Sequence, residues 1–184
     1  MASARERRHG PWREIAEVQS RHPEIRLLKS MEIDILTDGS LDLEDEAIAG
    51  LDWVLVSVHS RFELPAAEQT RRILKAVEHP AVHVLAHPTG RLINRRKPFD
   101  FDLEEVLHAC AQHRVAVELN AHPERLDLKD TDLMLARKLG VPVVISTDSH
   151  STQHLDLMSY GIEQARRAWL EPKDVLNTLP LPKL

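Results

Sequence analysis

The residue types able to do chemistry in this sequence collect in five short stretches. These carry Glu32 and Asp34 in SMEIDIL, His59 in SVHS, His87 in AHPTGR, Asn120 and His122 in ELNAHP, and Asp148 and His150 in STDSH. Mixed imidazole and carboxylate donors without thiolates suit divalent Zn, Mn or Fe, in a site that keeps a position open for water or substrate. The allocation of eleven histidines beside three Phe and one Tyr points the same way, because histidine adds little to a core and is the commonest metal ligand. Metal-bound water is a nucleophile at neutral pH, so hydrolysis is the expected reaction. Arg61, Arg91 and Arg125 lie close in sequence to these groups, and a planar guanidinium suits bidentate contact with phosphate. Asn120 and His122 are suited to orienting substrate or holding the second nitrogen of a metal-bound histidine.

Each group also has an ordinary reading. His59 can cap a strand, Asp148 and His150 can form an Asx turn, His87 before Pro88 can be a turn residue, and each arginine can be a solvated surface charge. Recurrence of such groups along five strands, and not any single member, points to a site. His9, His22, His79, His83, His108, His113 and His154 carry no comparable signal and are expected to be structural.

These groups need elements to position them. Five segments rich in Val, Ile and Leu, bounded by turn or polar residues, read as buried parallel strands: 26–36, 53–59, 82–87, 115–120 and 142–148. Four of the five ligand groups fall at the C-terminal end of their strand, where sites assemble in parallel α/β folds. Helical spacing appears over 65–78. Asp102 and Glu105 open a second helix reaching His113, a third runs from Thr131 to Leu139 before Gly140, and Pro172 can start a short one. Trp12, Ile15 and Val18 mark an N-terminal helical face that can pack on the sheet, behind a charged, frayed 1–8. Alternation of strand and helix argues for an open doubly wound sheet or a barrel, and the pattern does not separate the two.

With 184 residues and 42% hydrophobic content, one domain spanning 1–184 is expected. A formal net charge of −5 gives no global pull toward a polyanion, so contact with nucleic acid would need a local basic patch. Cys110, the single cysteine, reads as a buried thiol, and no apolar run approaches the length of a membrane span or a secretory signal. A cytoplasmic protein without membrane contact is the expectation.

The segments MEIDIL, DWVLVSVHS, VLAHPTGR, VELNAHPERLDL and ISTDSHS, followed by GIEQARRAWLEPKDVLNTL, resemble the polymerase-and-histidinol-phosphatase (PHP) domain of bacterial family X DNA polymerases. The resemblance covers nearly the whole chain. It implies a distorted seven-stranded TIM-like β/α barrel holding up to three divalent metals, with manganese-dependent 3'-5' exonuclease and related phosphoesterase activity. On that resemblance Glu32 bridges two metals, His59 and His87 bind one of them, and Asp148 and His150 bind the other two. Glu32, His59 and Asp148 are then the catalytic group, Arg61, Arg91, Asn120 and Arg125 contact substrate, and single-stranded DNA ends are a candidate substrate.

The family pattern begins with a His-x-His strand and a strand ending Thr-Asp-His-Ser, and neither motif precedes Glu32. Five of seven strands are therefore expected, an N-terminally truncated domain in which the Glu32, His59 and His87 set is complete and the other two sites are not. Ser30 stands where the family usually has glycine. Two further functions fit the same residues. One is a catalytically impaired remnant that binds metal or a partner chain completing the barrel in DNA repair or replication. The other is a metal-dependent amidohydrolase on a related barrel.

Overall fold

The structure, a computed structural model, describes residues 4–183. Residues 1–3, part of the segment expected to fray, lie outside the described residues. Helix α1 (Ala4–Arg21) is followed by β1 (Ser30–Asp34), α2 (Asp45–Ile48), β2 (Trp53–Ser57), α3 (Ala66–Val77), β3 (Val84–Leu85) and α4 (Leu103–His113). Then come β4 (Ala116–Asn120), α5 (Asp130–Lys138), β5 (Val143–Ser146) and α6 (Met158–Arg167), with short 3-10 turns from Thr152 onward.

All five strands are parallel and pair in sequence order, β1-β2-β3-β4-β5. A doubly wound sheet requires the order to reverse at a switch point, so this arrangement excludes one of the two architectures left open by the sequence. Sequential order with right-handed connections puts the crossover helices on one face, as in part of a TIM-like β/α fold. Among the described residues no ladder joins β5 to β1, and the sheet has two edges. The β5 edge is covered: Val175 bridges Val143, and the Asn177 amide accepts from Ile145 N–H at 2.7 Å and donates to Ile145 O at 2.9 Å.

Register assigns the two faces. Ile33, Val56, Leu85, Val117 and Val143 form one row across the sheet. Together with Ile73, Val77, Val106, Leu107, Leu133 and Ala136 from the helices, they make the core. Because strand side chains alternate, the residues between them face away from those helices. That opposite face carries Glu32 and Asp34 on β1, Ser57 on β2, Glu118 and Asn120 on β4 and Ser146 on β5. An alternation of apolar and polar residues thus gives the sheet one packed side and one chemically equipped side.

The helices begin and end as their residues dictate. The Asp102 side chain caps α4 by accepting from Glu105 N–H at 2.9 Å, and Gly140 follows α5 at φ 73, a conformation that favours glycine. The observed strands are shorter than the apolar segments suggested, β3 being two residues long, and α2 and α6 were not anticipated. Trp12, Ile15 and Val18 are half-buried. The end of α1 is anchored through Gln19, whose amide donates to His22 O and Ile25 O and accepts from Leu27 N–H. Cys110 is fully buried, and burial pushes its thiol up to about 12, consistent with a structural role. Among the described residues no helix is long and apolar enough to cross a membrane.

Candidate metal centre

Glu32, His59 and His87 converge at one corner of the polar face. Glu32 lies within β1, His59 two residues beyond β2, and His87 two residues beyond β3. Parallel pairing of Glu32 with Leu55 and of Leu55 with Val84 brings these three segments side by side. Among the described residues they are the one group of three or more candidate ligands whose donor atoms all lie within 4.8 Å of one another. Glu32 Oε1 is 2.8 Å from His87 Nε2 and 3.5 Å from His59 Nε2. Donors bonded tetrahedrally at about 2.1 Å would stand about 3.4 Å apart, so a small opening of the Glu32–His87 contact accommodates a divalent ion. The donor set fits such an ion.

The surroundings hold the ligands in place. His59 Nδ1 lies 2.6 Å from Asp34 Oδ1 and 3.3 Å from Ser57 Oγ. With the Nδ1 proton donated to Asp34, the lone pair of Nε2 faces Glu32, as in the carboxylate–histidine pairs of metal enzymes. His87 is 3% exposed at its side chain and has φ 27, in the left-handed region disfavoured for a non-glycine residue. Its backbone N–H donates to Glu118 Oε2 at 2.5 Å, which helps to offset that conformation. His87 Nδ1 is buried without a hydrogen-bond partner among the described residues.

Electrostatics separates the two sides of the pair. Burial works to raise the Glu32 carboxyl, but the hydrogen bond and charge of His87, with Ser57 and His59, hold it at about 2. For His87, burial disfavours the charged ring, while Glu32 and Glu118 outweigh it and raise its pKa. A dication at this point would replace the His87 proton as the partner of Glu32.

Asp148 and His150 stand outside this group. Asp148, at φ 50, accepts from Asn120 Nδ2 at 3.1 Å, and its Oδ2 lies 3.3 Å from Arg125 Nε. The His150 side chain is 79% exposed, with Nδ1 2.8 Å from Asp148 O. Asn120 Oδ1 accepts from His122 N–H, and His122 lies edge-on to His154 with ring centroids 5.5 Å apart. Arg61 is exposed and pairs with Glu63 at 2.8 Å. Arg91 donates to Arg125 O at 2.8 Å and to Leu126 O, bracing the neighbouring loop. Arg125 has one buried nitrogen, Nη1, without a hydrogen-bond partner among the described residues.

Asp34, named with Glu32 among the ligand-type residues, sets the orientation of His59 instead of joining the cluster, and Glu118, which was not singled out, is buried behind His87. Strand periodicity marks Glu118, which lies two residues before Asn120 and hence on the same face.

No family model matches the chain. It is similar over 169 residues, at 41% identity, to the DNA polymerase/3'-5' exonuclease PolX of Bacillus subtilis, covering 92% of this chain and 30% of that protein. A probable phosphatase of Syntrophotalea carbinolica is 26% identical over 162 residues, 83% of this chain and 65% of the relative. Another, from Acetivibrio thermocellus, is 31% identical over 134 residues, 68% of this chain and 53% of the relative. The chain therefore spans from about a third to about two thirds of these relatives. Their names support a phosphoesterase type of function, and the Glu32–His59–His87 cluster is a candidate metal site of the kind such hydrolases need.

Proposed function

We propose that this chain is the C-terminal part of a PHP-type barrel and hydrolyses phosphate esters, acting in the 3'-5' direction on single-stranded DNA ends or on a phosphomonoester. The observation that carries the reading is the cluster formed by Glu32 within β1 and by His59 and His87 just beyond the C-terminal ends of the next two parallel strands. Mn, Zn or Fe would be held by Glu32, His59 and His87, and would activate a water and stabilise charge developing on phosphorus-bound oxygen. Asp34 keeps the His59 ring turned into the site, and Glu32 supplies the one anionic ligand of this group. Asp148 and His150, joined to the same rim through Asn120, are assigned to further metal sites whose remaining ligands would come from a partner segment completing the barrel. Arg61, with its exposed guanidinium, and Arg125, whose Nη1 has no hydrogen-bond partner among the described residues, are assigned to the substrate phosphate; Arg91 supports the loop that carries Arg125.

The test is metal content and Mn-dependent release of nucleotides from single-stranded DNA, for the wild type and for His87→Ala. Turnover that requires Mn and disappears in the variant is the expected outcome. Bound metal without turnover of DNA or of a phosphomonoester would instead identify a metal-binding interaction module, and hydrolysis of an amide or ester alone would identify the amidohydrolase chemistry.

A further inference from the structure

Glu118 is a carboxylate in the middle of the sheet. It sits on β4, is 3% exposed, and has no Lys or Arg within ion-pair distance among the described residues. Burying a carboxylate without a cation is costly unless its oxygens are fully engaged. Three donors engage them: Oε2 accepts from His87 N–H at 2.5 Å and lies 3.5 Å from Asn120 Nδ2, and Oε1 accepts from Ser146 Oγ. Burial pushes this carboxyl up, and the charge of His87 with the hydrogen bonds from Ser146 and His87 N–H works against that rise. These donors come from β4 itself, from β5 and from the segment leaving β3.

The other deeply buried carboxylate, Asp127, behaves differently. Its oxygens accept from Thr89 N–H and Thr89 Oγ, so it ties one loop to another. Glu118 instead grips the main chain of a ligand residue, and through Asn120 it is linked to Asp148, whose Oδ2 accepts from the same amide at 3.1 Å. Glu118 and Asn120 together thus connect the Glu32–His59–His87 corner with the Asp148 corner.

We infer that Glu118 is a positioning residue for the metal centre, holding His87 in register through its backbone and supplying a negative charge behind a ligand set that has one carboxylate and two imidazoles. This rests on the proposed metal chemistry of that cluster. Charge and shape can be separated, because glutamine retains an acceptor for His87 N–H and presents its amide to a Ser146 hydroxyl that can turn and accept. If Glu118 served only to fill and brace the sheet, Glu118→Gln would be close to neutral. If its charge supports the cation, the variant folds and binds metal poorly.

The experiment titrates Mn²⁺ alone into metal-free wild type and Glu118→Gln, and records the visible spectrum of each with Co²⁺. Thermal unfolding of both metal-free proteins reports folding. The inference expects a 10- to 100-fold loss of Mn²⁺ affinity and an altered Co²⁺ spectrum in a variant that unfolds at nearly the wild-type temperature. Equal affinity and an unchanged spectrum in a folded variant would overturn it. Wild type that binds neither ion would overturn the metal reading itself and this inference with it, a different result from the first. Should Glu118→Gln not fold, Ser146→Ala decides: freeing the carboxylate should weaken Mn²⁺ at least threefold, and wild-type affinity there would overturn the assignment.

Discussion

Glu32 and His87 meet at 2.8 Å with their protonation equilibria pulled in opposite directions. The Glu32 carboxyl falls from its ordinary 4.5 to about 2 despite the opposing effect of burial, so the stability it contributes is full above about 4.5 and is lost as pH drops toward 2. His87 is raised above its ordinary 6.5, so its contribution is full below that value and disappears as pH climbs through the raised one. In metal-free protein the pair therefore stabilises most between the two ordinary values. Urea midpoints of wild type and Glu32→Gln in the presence of chelator should differ most near about pH 5.5, and converge as pH falls to about 2 and as it rises through the raised His87 value. A gap that does not vary with pH would mean that this pair is not what Glu32 contributes. At this scale the sequence was informative where residue type alone carries meaning: Glu32, His59 and His87 could be picked out as ligands. It could not say that Asp148 and His150 stand apart from them or that Arg91 is occupied with carbonyls, because those outcomes depend on loop paths between strands. Glu118 was overlooked because a single acid inside a strand reads as an outward-facing residue until the register places it on the inner face.

Helix α3 does more than cover the sheet. Its Arg72 is 2% exposed, and its guanidinium donates to Ile35 O, Leu36 O and Ser60 O and to the Gln69 side chain. Those carbonyls belong to the segments leaving β1 and β2, directly after Asp34 and His59, so one side chain fixes the exits of two ligand-bearing strands. Burial lowers the Arg72 pKa, yet the group remains far above neutrality as a charged donor. Replacing it with Met would strand several acceptors and should cost about 3 kcal/mol, read from urea unfolding. A loss below about 0.5 kcal/mol, the ordinary range for a surface change, would show that water takes over these carbonyls. The strand and helix order was legible, because apolar runs punctuated by turn residues and the Asp102 cap are local signals. The short β3 and the extra α6 were not: pairing with β2 and β4 over two residues decides the first, and packing against β5 and α5 supports the second.

Across the whole molecule, the three ligands belong to β1 and to the exits of β2 and β3, so a bound ion would cross-link three consecutive units of the sheet. Metal at about a hundred times its dissociation constant should add about 2.7 kcal/mol, or roughly 5–10 °C in the thermal midpoint of a domain this size. Scanning calorimetry with Mn²⁺ and with chelator measures this, and the difference should vanish in His87→Ala. An equal shift in that variant would place the stabilising ion elsewhere. The sequential order of the sheet also bears on how the chain acquires its shape. Each of β2 to β5 pairs with the strand made just before it, so each crossover unit can close as soon as its own residues leave the ribosome, without waiting for a distant partner. The margin at β5 depends on residues made later still, since Val175 and Asn177 must arrive before it is covered.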